Sequence, residues 1–110
     1  MTMEVGEAAK RTLRNISGLC RKAAKDLKPT DSLVDNLGYG DAKLKQLAVW
    51  QRSLADQVRD DGTQSRMTTS DLADANVAKV LELLLRRGAR EQPDEARVKA
   101  VFDAANKALP

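Results

Sequence analysis

Apolar residues in this chain recur every three or four positions over long stretches, and they almost nowhere show the two-residue alternation of a β-strand. That spacing places apolar side chains along one face of an α-helix. The 110 residues include only three aromatics, Tyr39, Trp50 and Phe102, so Leu, Val, Ile and Ala must form the core. These features predict an all-α fold: a small bundle of four to five helices in one domain over residues 1 to 110.

Breaks in the apolar pattern divide the chain into five predicted helices. They cover roughly residues 4 to 27, 41 to 59, 70 to 74, 76 to 88 and 93 to 109. Pro29 ends the first helix, so Lys25 and Lys28 are expected near the negative end of its dipole. Gly18 lies within this helix and weakens the prediction, at a cost of about 1 kcal/mol relative to Ala. The polar segment 60 to 65, which begins with Asp60-Asp61, is predicted as a solvated loop.

Residues typical of helix ends support these boundaries. Asp41 fits the N-cap of the second helix. Thr68 and Asp71 have the spacing of a capping box, with Asp in place of the usual Glu. Asn76 is predicted to cap the fourth helix, and Gly88 to close it. Local capping chemistry and apolar periodicity therefore predict the same helices.

The last helix and the second helix have clear predicted buried faces. Pro93 is predicted at the first position of the last helix, with Asp94 and Glu95 in its first turn. Its buried face is predicted to contain Val98, Val101, Phe102, Ala105 and Leu109. The buried face of the second helix is predicted to contain Leu44, Leu47, Ala48, Gln51, Leu54, Ala55 and Val58, with Trp50 on the flank.

Residues 29 to 40 form a predicted loop that is too apolar to be simply solvated. The loop is expected to fold back and cover one end of the bundle with the side chains of Leu33, Val34, Leu37 and Tyr39. Two glycines, at positions 38 and 40, are expected to supply turn conformations that other residues would find strained.

The sequence contains no constellation of catalytic or metal-binding residues. Histidine is absent, which excludes His-based catalysis and ordinary zinc sites, and the single cysteine excludes an internal disulfide. Cys20 is expected on a buried helix face. No phosphate-binding loop, membrane-spanning apolar run or signal peptide is present, so we expect a non-enzymatic, cytoplasmic protein without cofactor or metal.

The predicted first helix is rich in positive charge. Seven basic residues lie along it: Lys10, Arg11, Arg14, Arg21, Lys22, Lys25 and Lys28. Because no aromatic is interleaved and the net charge is only +3, a solvated outer face is favoured over nucleic-acid binding. A nucleic-acid binder and a domain that docks on an acidic protein remain open alternatives.

Two segments resemble acyl and peptidyl carrier proteins. Residues 32 to 41, SLVDNLGYGD, resemble the carrier loop, in which an apolar residue and an acidic pair precede Leu-Gly and the second helix. Residues 69 to 81, TSDLADANVAKVL, resemble the short third helix of the family and the start of its last helix, with Asn76-Val77 in place of a Thr-Val pair. The resemblance covers about residues 5 to 88, so the helix at 93 to 109 is an addition to the carrier fold.

The chain departs from the carrier motif at the attachment site. In that family Leu-Gly-any-Asp-Ser-Leu begins the second helix, and its serine carries 4′-phosphopantetheine. A gapless match places Gly40 at the Asp and Asp41 at this serine. A literal Asp-Ser-Leu occurs earlier, at residues 31 to 33, but a helix begun at Ser32 would be broken by the two glycines.

The resemblance therefore implies a carrier-like domain that binds proteins and lacks the prosthetic group. Carrier proteins engage their enzymes through the second helix and the preceding loop, which implies partner-binding residues Tyr39, Asp41, Lys43, Lys45, Gln46 and Trp50. Trp50 either stands exposed as an anchor or packs against the last helix, and packing is slightly favoured. The alternatives are an active carrier modified at Ser32 and an unrelated helical adaptor or regulatory subunit.

Overall fold

The described part of the chain, residues 3 to 58, 67 to 88 and 94 to 109 of a computed structural model, is built from helices. The α-helices are α1 (Val5–Gly18), α2 (Asp41–Val58), α3 (Thr69–Ala73), α4 (Val77–Gly88) and α5 (Glu95–Ala108). Within these ranges there is no strand, and the only β-type pairing is an isolated bridge between Ser32 and Asn76. The predicted all-α bundle is confirmed.

Four helices surround an aliphatic core. α1 packs against α2, α4 and α5, while α4 lies against both α2 and α5. Leu13, Leu47 and Leu81 are fully buried in the main cluster. A smaller cluster of Ala8, Leu54, Ala55 and Leu84 closes the α1–α2–α4 contact near the chain start. Since α5 packs against α1 and α4, it does not cover the outer side of α2.

The caps predicted at Thr68 and Asn76 agree with the structure, but Asp41 is the first residue of α2 and not its N-cap, because the first hydrogen bond of the helix runs from the Leu44 N–H to the Gly40 carbonyl. The Thr68–Asp71 capping box is formed in both directions, and α3 begins at Thr69, within one residue of its predicted start. Asn76 accepts the Lys79 N–H with its side chain at 2.8 Å, as expected of an N-cap, and α4 ends at Gly88. These interactions span three or four residues, so they could be predicted from local sequence.

The start of α5 differs slightly from the prediction. Asp94 is the N-cap rather than a first-turn residue, because its carboxylate accepts the Arg97 N–H at 2.8 Å. Pro93 and the predicted loop at 60 to 65 lie outside the described residues. The predicted apolar face of α5 is confirmed, with Phe102 buried and Val101 half-buried.

The prediction of a first helix reaching residue 27 is wrong, since α1 ends at Gly18. Tyr39 from the following loop donates its hydroxyl hydrogen to the Ile16 carbonyl at 2.6 Å, and Ser17 donates to the Lys22 carbonyl at 2.8 Å. These bonds occupy carbonyls and turn the chain away from the helix axis. Cys20 consequently lies half-buried in the turn after α1, and not on a helix face.

Lys25 and Lys28 do not cap the first helix, because the chain has already left it. A 3₁₀ turn, Ala24–Asp26, instead brings Lys25 to the end of α5. The Lys25 ammonium donates to the carbonyls of Asn106 and Leu109 at 2.7 and 3.3 Å, and the Asn106 amide donates to the Lys25 carbonyl at 3.0 Å. A cation on these carbonyls stabilises the C-terminal end of α5.

The loop of residues 29 to 40 packs into the bundle as predicted. Leu33 and Tyr39 are buried in the main core, whereas Val34 is 40% exposed. Gly38 has a φ of 73°, which explains its turn, but Gly40 has no positive φ, contrary to the expectation for it. Only Gly38 therefore needs the conformational freedom of glycine.

Backbone hydrogen bonds join this loop to the start of α4. The Val77 N–H donates to the Asp31 carbonyl at 3.0 Å, and the Ala78 N–H donates to the Pro29 carbonyl at 2.9 Å. The first amides of a helix have no partner within it, so the loop supplies carbonyls that α4 itself cannot. The loop thereby positions both the start of α2 and the start of α4.

Candidate functional site

Asp41 is the first residue of α2 and is exposed. The first hydrogen bond of the helix runs from the Leu44 N–H to the Gly40 carbonyl at 3.0 Å. A carboxylate in the first turn interacts favourably with the positive end of the helix dipole. The residue aligned with the carrier serine therefore stands at an exposed helix start.

Ser32 lies in a turn well before α2. Its hydroxyl accepts the Asp35 N–H at 3.1 Å, and its own N–H donates to the Asn36 side chain at 2.7 Å. The Ser32 carbonyl accepts from the Asn36 and Leu37 amides, which closes the turn. The second helix thus begins at Asp41 and not at Ser32.

The six residues implied as partner-binding do not form one surface. Tyr39 is 3% exposed, and its hydroxyl is used by the Ile16 carbonyl, so it is a core residue. The other five, Asp41, Lys43, Lys45, Gln46 and Trp50, are exposed. With 3.6 residues per turn, Lys43 and Gln46 share the side of α2 that carries Trp50, while Lys45 is turned about 140° away. Asp41 lies on the opposite side, about 180° from Trp50.

Trp50 stands in an open groove between α1 and α2, hereafter the α1–α2 groove. The groove has a volume of about 430 Å³ and is lined by Arg11, Arg14, Asn15, Val49, Trp50, Ser53, Leu54 and Gln57. Trp50 is 36% exposed, so its indole is partly supported by the protein and partly open to solvent. The favoured expectation that Trp50 packs against the last helix is wrong, since α5 packs against α1 and α4.

A buried polar network joins the two walls of this groove. The Gln51 amide donates to the Thr12 hydroxyl at 2.9 Å, and the Asn15 amide donates to the Gln51 carbonyl oxygen at 2.9 Å. Thr12 in turn donates to the Ala8 carbonyl at 3.0 Å. Thr12 and Gln51 are fully buried, so these bonds offset the cost of removing their polar atoms from water. The network holds α1 and α2 in one relative position.

The charge of the α1–α2 groove is positive. None of the described residues that line it is acidic, and two of them are arginines. Arg11 lies 3.4 Å from Glu7, which also binds Lys10 at 3.1 Å. The hydrogen bond from Lys10, reinforced by Arg11, lowers the pKa of the Glu7 carboxyl. Among the described residues, none forms an ion pair or hydrogen bond with the Arg14 side chain.

Val49, Arg11 and Arg14 were not among the partner-binding residues implied by the resemblance. Val49 lies outside the apolar stripe of α2 and is 51% exposed, and an apolar residue off the stripe was the available sequence signal. The two arginines belong to the basic segment whose favoured interpretation was a solvated face. Only the packing of α1 on α2 reveals that they face Trp50 across a groove.

The seven basic residues of the segment 10 to 28 are dispersed, because this segment is not one helix. Lys10 and Arg11 pair with Glu7, and Lys25 binds the end of α5. Lys22 forms an ion pair with Asp31 at 3.0 Å. Burial alone would raise the pKa of the Asp31 carboxyl, but hydrogen bonds from the Lys28 N–H and from Lys22 outweigh it and lower that pKa.

A second groove lies between the loop, α4 and the start of α5. It has a volume of about 980 Å³, and its charged lining residues are Asp74, Lys79, Glu82, Asp94, Glu95 and Lys99. Lys79 and Glu82 pair at 3.1 Å. Across the described ranges, no three His, Cys, Asp or Glu side chains come close enough together to hold a metal ion.

Known proteins provide no family or functional assignment for this chain. Comparisons with protein-family models, curated protein sequences and solved structures find no significant match for this chain. Among the described helices, none has both the length and the apolar composition needed to cross a membrane.

Proposed function

We propose that this chain is a non-catalytic, acyl-carrier-like helical domain that acts as a protein-interaction module without a phosphopantetheine arm. The observation that carries the proposal is the exposed Asp41 at the first residue of α2, where the resembling family has its attachment serine. A carboxylate has no hydroxyl to form the phosphodiester. The position is thus exposed as a carrier requires, while its chemistry does not allow attachment.

The order and spacing of the elements support the same proposal. A helix, a long structured loop, a second helix, a short third helix and a fourth helix follow one another as in the resembling family. An additional helix, α5, packs on α1 and α4 and leaves α2 accessible. Carrier proteins engage their enzymes through this second helix, and a partly exposed Trp on it is a suitable anchor, because Trp is enriched among residues that dominate binding energy.

Modification at Ser32 is the competing carrier function. The Ser32 hydroxyl lies in a hydrogen-bonded turn and is half-buried, whereas a carrier serine begins the second helix. The turn and the bridge to Asn76 hold this segment on the start of α4. These contacts favour the proposal without an arm over modification at Ser32.

An attachment assay tests the missing arm. The protein and its Asp41→Ser variant are incubated with coenzyme A and a promiscuous phosphopantetheinyl transferase, and intact masses are recorded beside a known carrier. We expect no mass gain for the natural chain and one phosphopantetheine on Asp41→Ser, since this substitution restores a hydroxyl at the exposed start of α2. A gain on the natural chain that maps to Ser32 would contradict the proposal. No gain on either chain would argue against the carrier-like interpretation.

A binding assay tests the interaction role. The natural chain, Trp50→Ala and Val34→Ala are immobilised, and proteins retained from native extract are quantified. Val34 is the comparison, because it is also an exposed apolar residue but lies in the loop before α2, so the pair of variants separates an interface on the Trp50 side of α2 from one on the loop. We expect a stoichiometric partner whose capture falls with Trp50→Ala and persists with Val34→Ala. Undiminished capture by Trp50→Ala, or a loss with Val34→Ala alone, would place the interface away from Trp50.

A further inference from the structure

We infer that the α1–α2 groove binds an acidic amphipathic helix of a partner protein, with an apolar side chain beside Trp50 and carboxylates opposite Arg11 and Arg14. The inference rests on the proposed interaction function, and it adds the binding face and the chemistry of the partner. A groove between two helices that holds both apolar and charged residues is the geometry by which many proteins bind an amphipathic helix.

Apolar exposure is concentrated in this groove. Of the three large hydrophobic side chains exposed in the described part of the chain, Val49 and Trp50 both line it, and Val34 lies elsewhere. Leu54, which is 4% exposed, extends the apolar lining inward. Adjacent exposed apolar side chains on one wall are a feature of binding surfaces. An apolar residue of the partner would remove Trp50 and Val49 from water.

The charges select an acidic partner. The Arg14 guanidinium has no partner among the described residues, and no acidic residue is among those that line the groove. Arg11 can bind an incoming carboxylate while Lys10 keeps its 3.1 Å contact with Glu7. Arginine is well suited to this role, since its planar guanidinium can bind a carboxylate through two parallel hydrogen bonds.

The groove is formed before any partner arrives. The Thr12–Gln51–Asn15 network fixes the distance between its walls, and Met3 donates its N–H to the Gln57 carbonyl at 2.8 Å at one end. A preformed site avoids the cost of ordering its side chains and helices on binding.

A protein helix fits these observations better than a nucleic acid does. Proteins that bind single-stranded nucleic acids use a row of cations together with several aromatic side chains, on which successive bases stack. In the described part of the chain this groove has two arginines and one aromatic residue, and three other basic residues of the segment 10 to 28, Lys10, Lys22 and Lys25, are engaged in other contacts. A phosphate backbone would also leave the exposed side chains of Val49 and Trp50 without an apolar contact.

Trp50 is the only tryptophan in the chain, so its fluorescence reports directly on the groove. The probe is a synthetic 15-residue helical peptide with Leu on one face and Glu on the other. Its controls are the same peptide with Lys for Glu and the same peptide with Ser for Leu. We expect saturable changes in Trp50 emission with the Glu–Leu peptide alone, weakening as salt is raised because the contacts are partly ionic.

Two charge reversals on the protein test the location. Arg14→Glu places a carboxylate in the groove, whereas Arg52→Glu makes the same change in net charge on the exposed side of α2 away from Trp50. We expect affinity for the Glu–Leu peptide to fall at least about tenfold with Arg14→Glu and to stay within about twofold with Arg52→Glu. Amide chemical-shift changes should map to α1 and α2.

Several results would overturn the inference. They are absence of binding by the Glu–Leu peptide, equal binding of the Lys peptide, equal loss with both reversals, and tighter binding of a single-stranded oligonucleotide than of the Glu–Leu peptide. These outcomes are distinct from failure of the proposed function. The proposed function fails if phosphopantetheine is attached to Ser32, or if the captured partner binds Trp50→Ala as well as it binds the natural chain. The mass and capture assays detect these results without any peptide.

Discussion

Replacing Tyr39 by Phe tests how the loop determines the end of α1. The Tyr39 hydroxyl donates to the Ile16 carbonyl at 2.6 Å, in a contact buried inside the main core. Phe keeps the ring and its packing while removing only this donor. The substitution therefore isolates one hydrogen bond that joins two segments separated by 23 positions.

The expected cost follows from what the Ile16 carbonyl retains. It still accepts the Leu19 N–H at 3.3 Å, so losing the hydroxyl does not leave it without a partner. The loss should then equal a net buried hydrogen bond, about 1 to 1.5 kcal/mol, and should stay below the larger penalty of an orphaned group. For a domain of this size the melting temperature should fall by about 4 °C or somewhat more.

The pH dependence of this difference gives a second readout. Burial raises the pKa of the Tyr39 phenol above its usual value near 10. The unfolded chain therefore ionises first as pH rises, and the folded state binds more protons, so this contribution to stability is present below pH 10 and lost above it. The advantage of the natural chain over Tyr39→Phe should shrink between about pH 10 and 11.

Urea unfolding followed by circular dichroism measures both effects. Tyr39→Leu serves as a control that also loses ring packing, and it should cost about 2 to 3 kcal/mol. A Tyr39→Phe cost under about 0.3 kcal/mol would refute the role of this bond, and a cost above about 3 kcal/mol would refute the claim that the Ile16 carbonyl keeps a partner. A difference that does not change with alkaline pH would contradict the burial argument.

Three further predictions concern the loop and the groove. Asp31→Asn should lower the free energy of unfolding by about 1 kcal/mol at pH 7, because it removes the ion pair with Lys22. Since the Asp31 pKa is lowered on folding, its stabilisation is present above its usual pKa and lost as pH falls below it, so urea curves of natural chain and variant should converge in acid. Gly38→Ala should lower stability by about 1 kcal/mol in thermal unfolding, because φ is 73° at this residue. Gly18→Ala should be neutral or slightly stabilising, because Gly18 lies in the last turn of α1 with open space around it. Effects of the same sign would refute the claim that only Gly38 needs a glycine. Acrylamide should quench Trp50 emission readily, given 36% exposure, and strong protection from the quencher would mean that the groove is closed in solution.

Local sequence determined the helices whose ends depend on near neighbours. α2, α3 and α4 begin within one residue of their predicted starts. Helical apolar periodicity and N-cap hydrogen bonds both depend on residues only three or four positions apart. The burial of Leu33 and Tyr39 was also predictable, since a loop so apolar has to cover part of the core. At Gly18 the sequence carried a weak warning that the first helix would stop there.

Tertiary structure decided what depends on distant partners. The apolar period of residues 19 to 27 fits a helix, but hydrogen bonds from Tyr39 and Ser17 end α1 first. The Lys25 ammonium caps α5, some 80 positions further along the chain, and no local pattern encodes that contact. The α1–α2 groove arises in the same way. Periodicity placed Trp50 on the flank of α2, but only the packing of α1 set two arginines opposite it, because a helix repeat determines which residues share a face and not which helix that face meets.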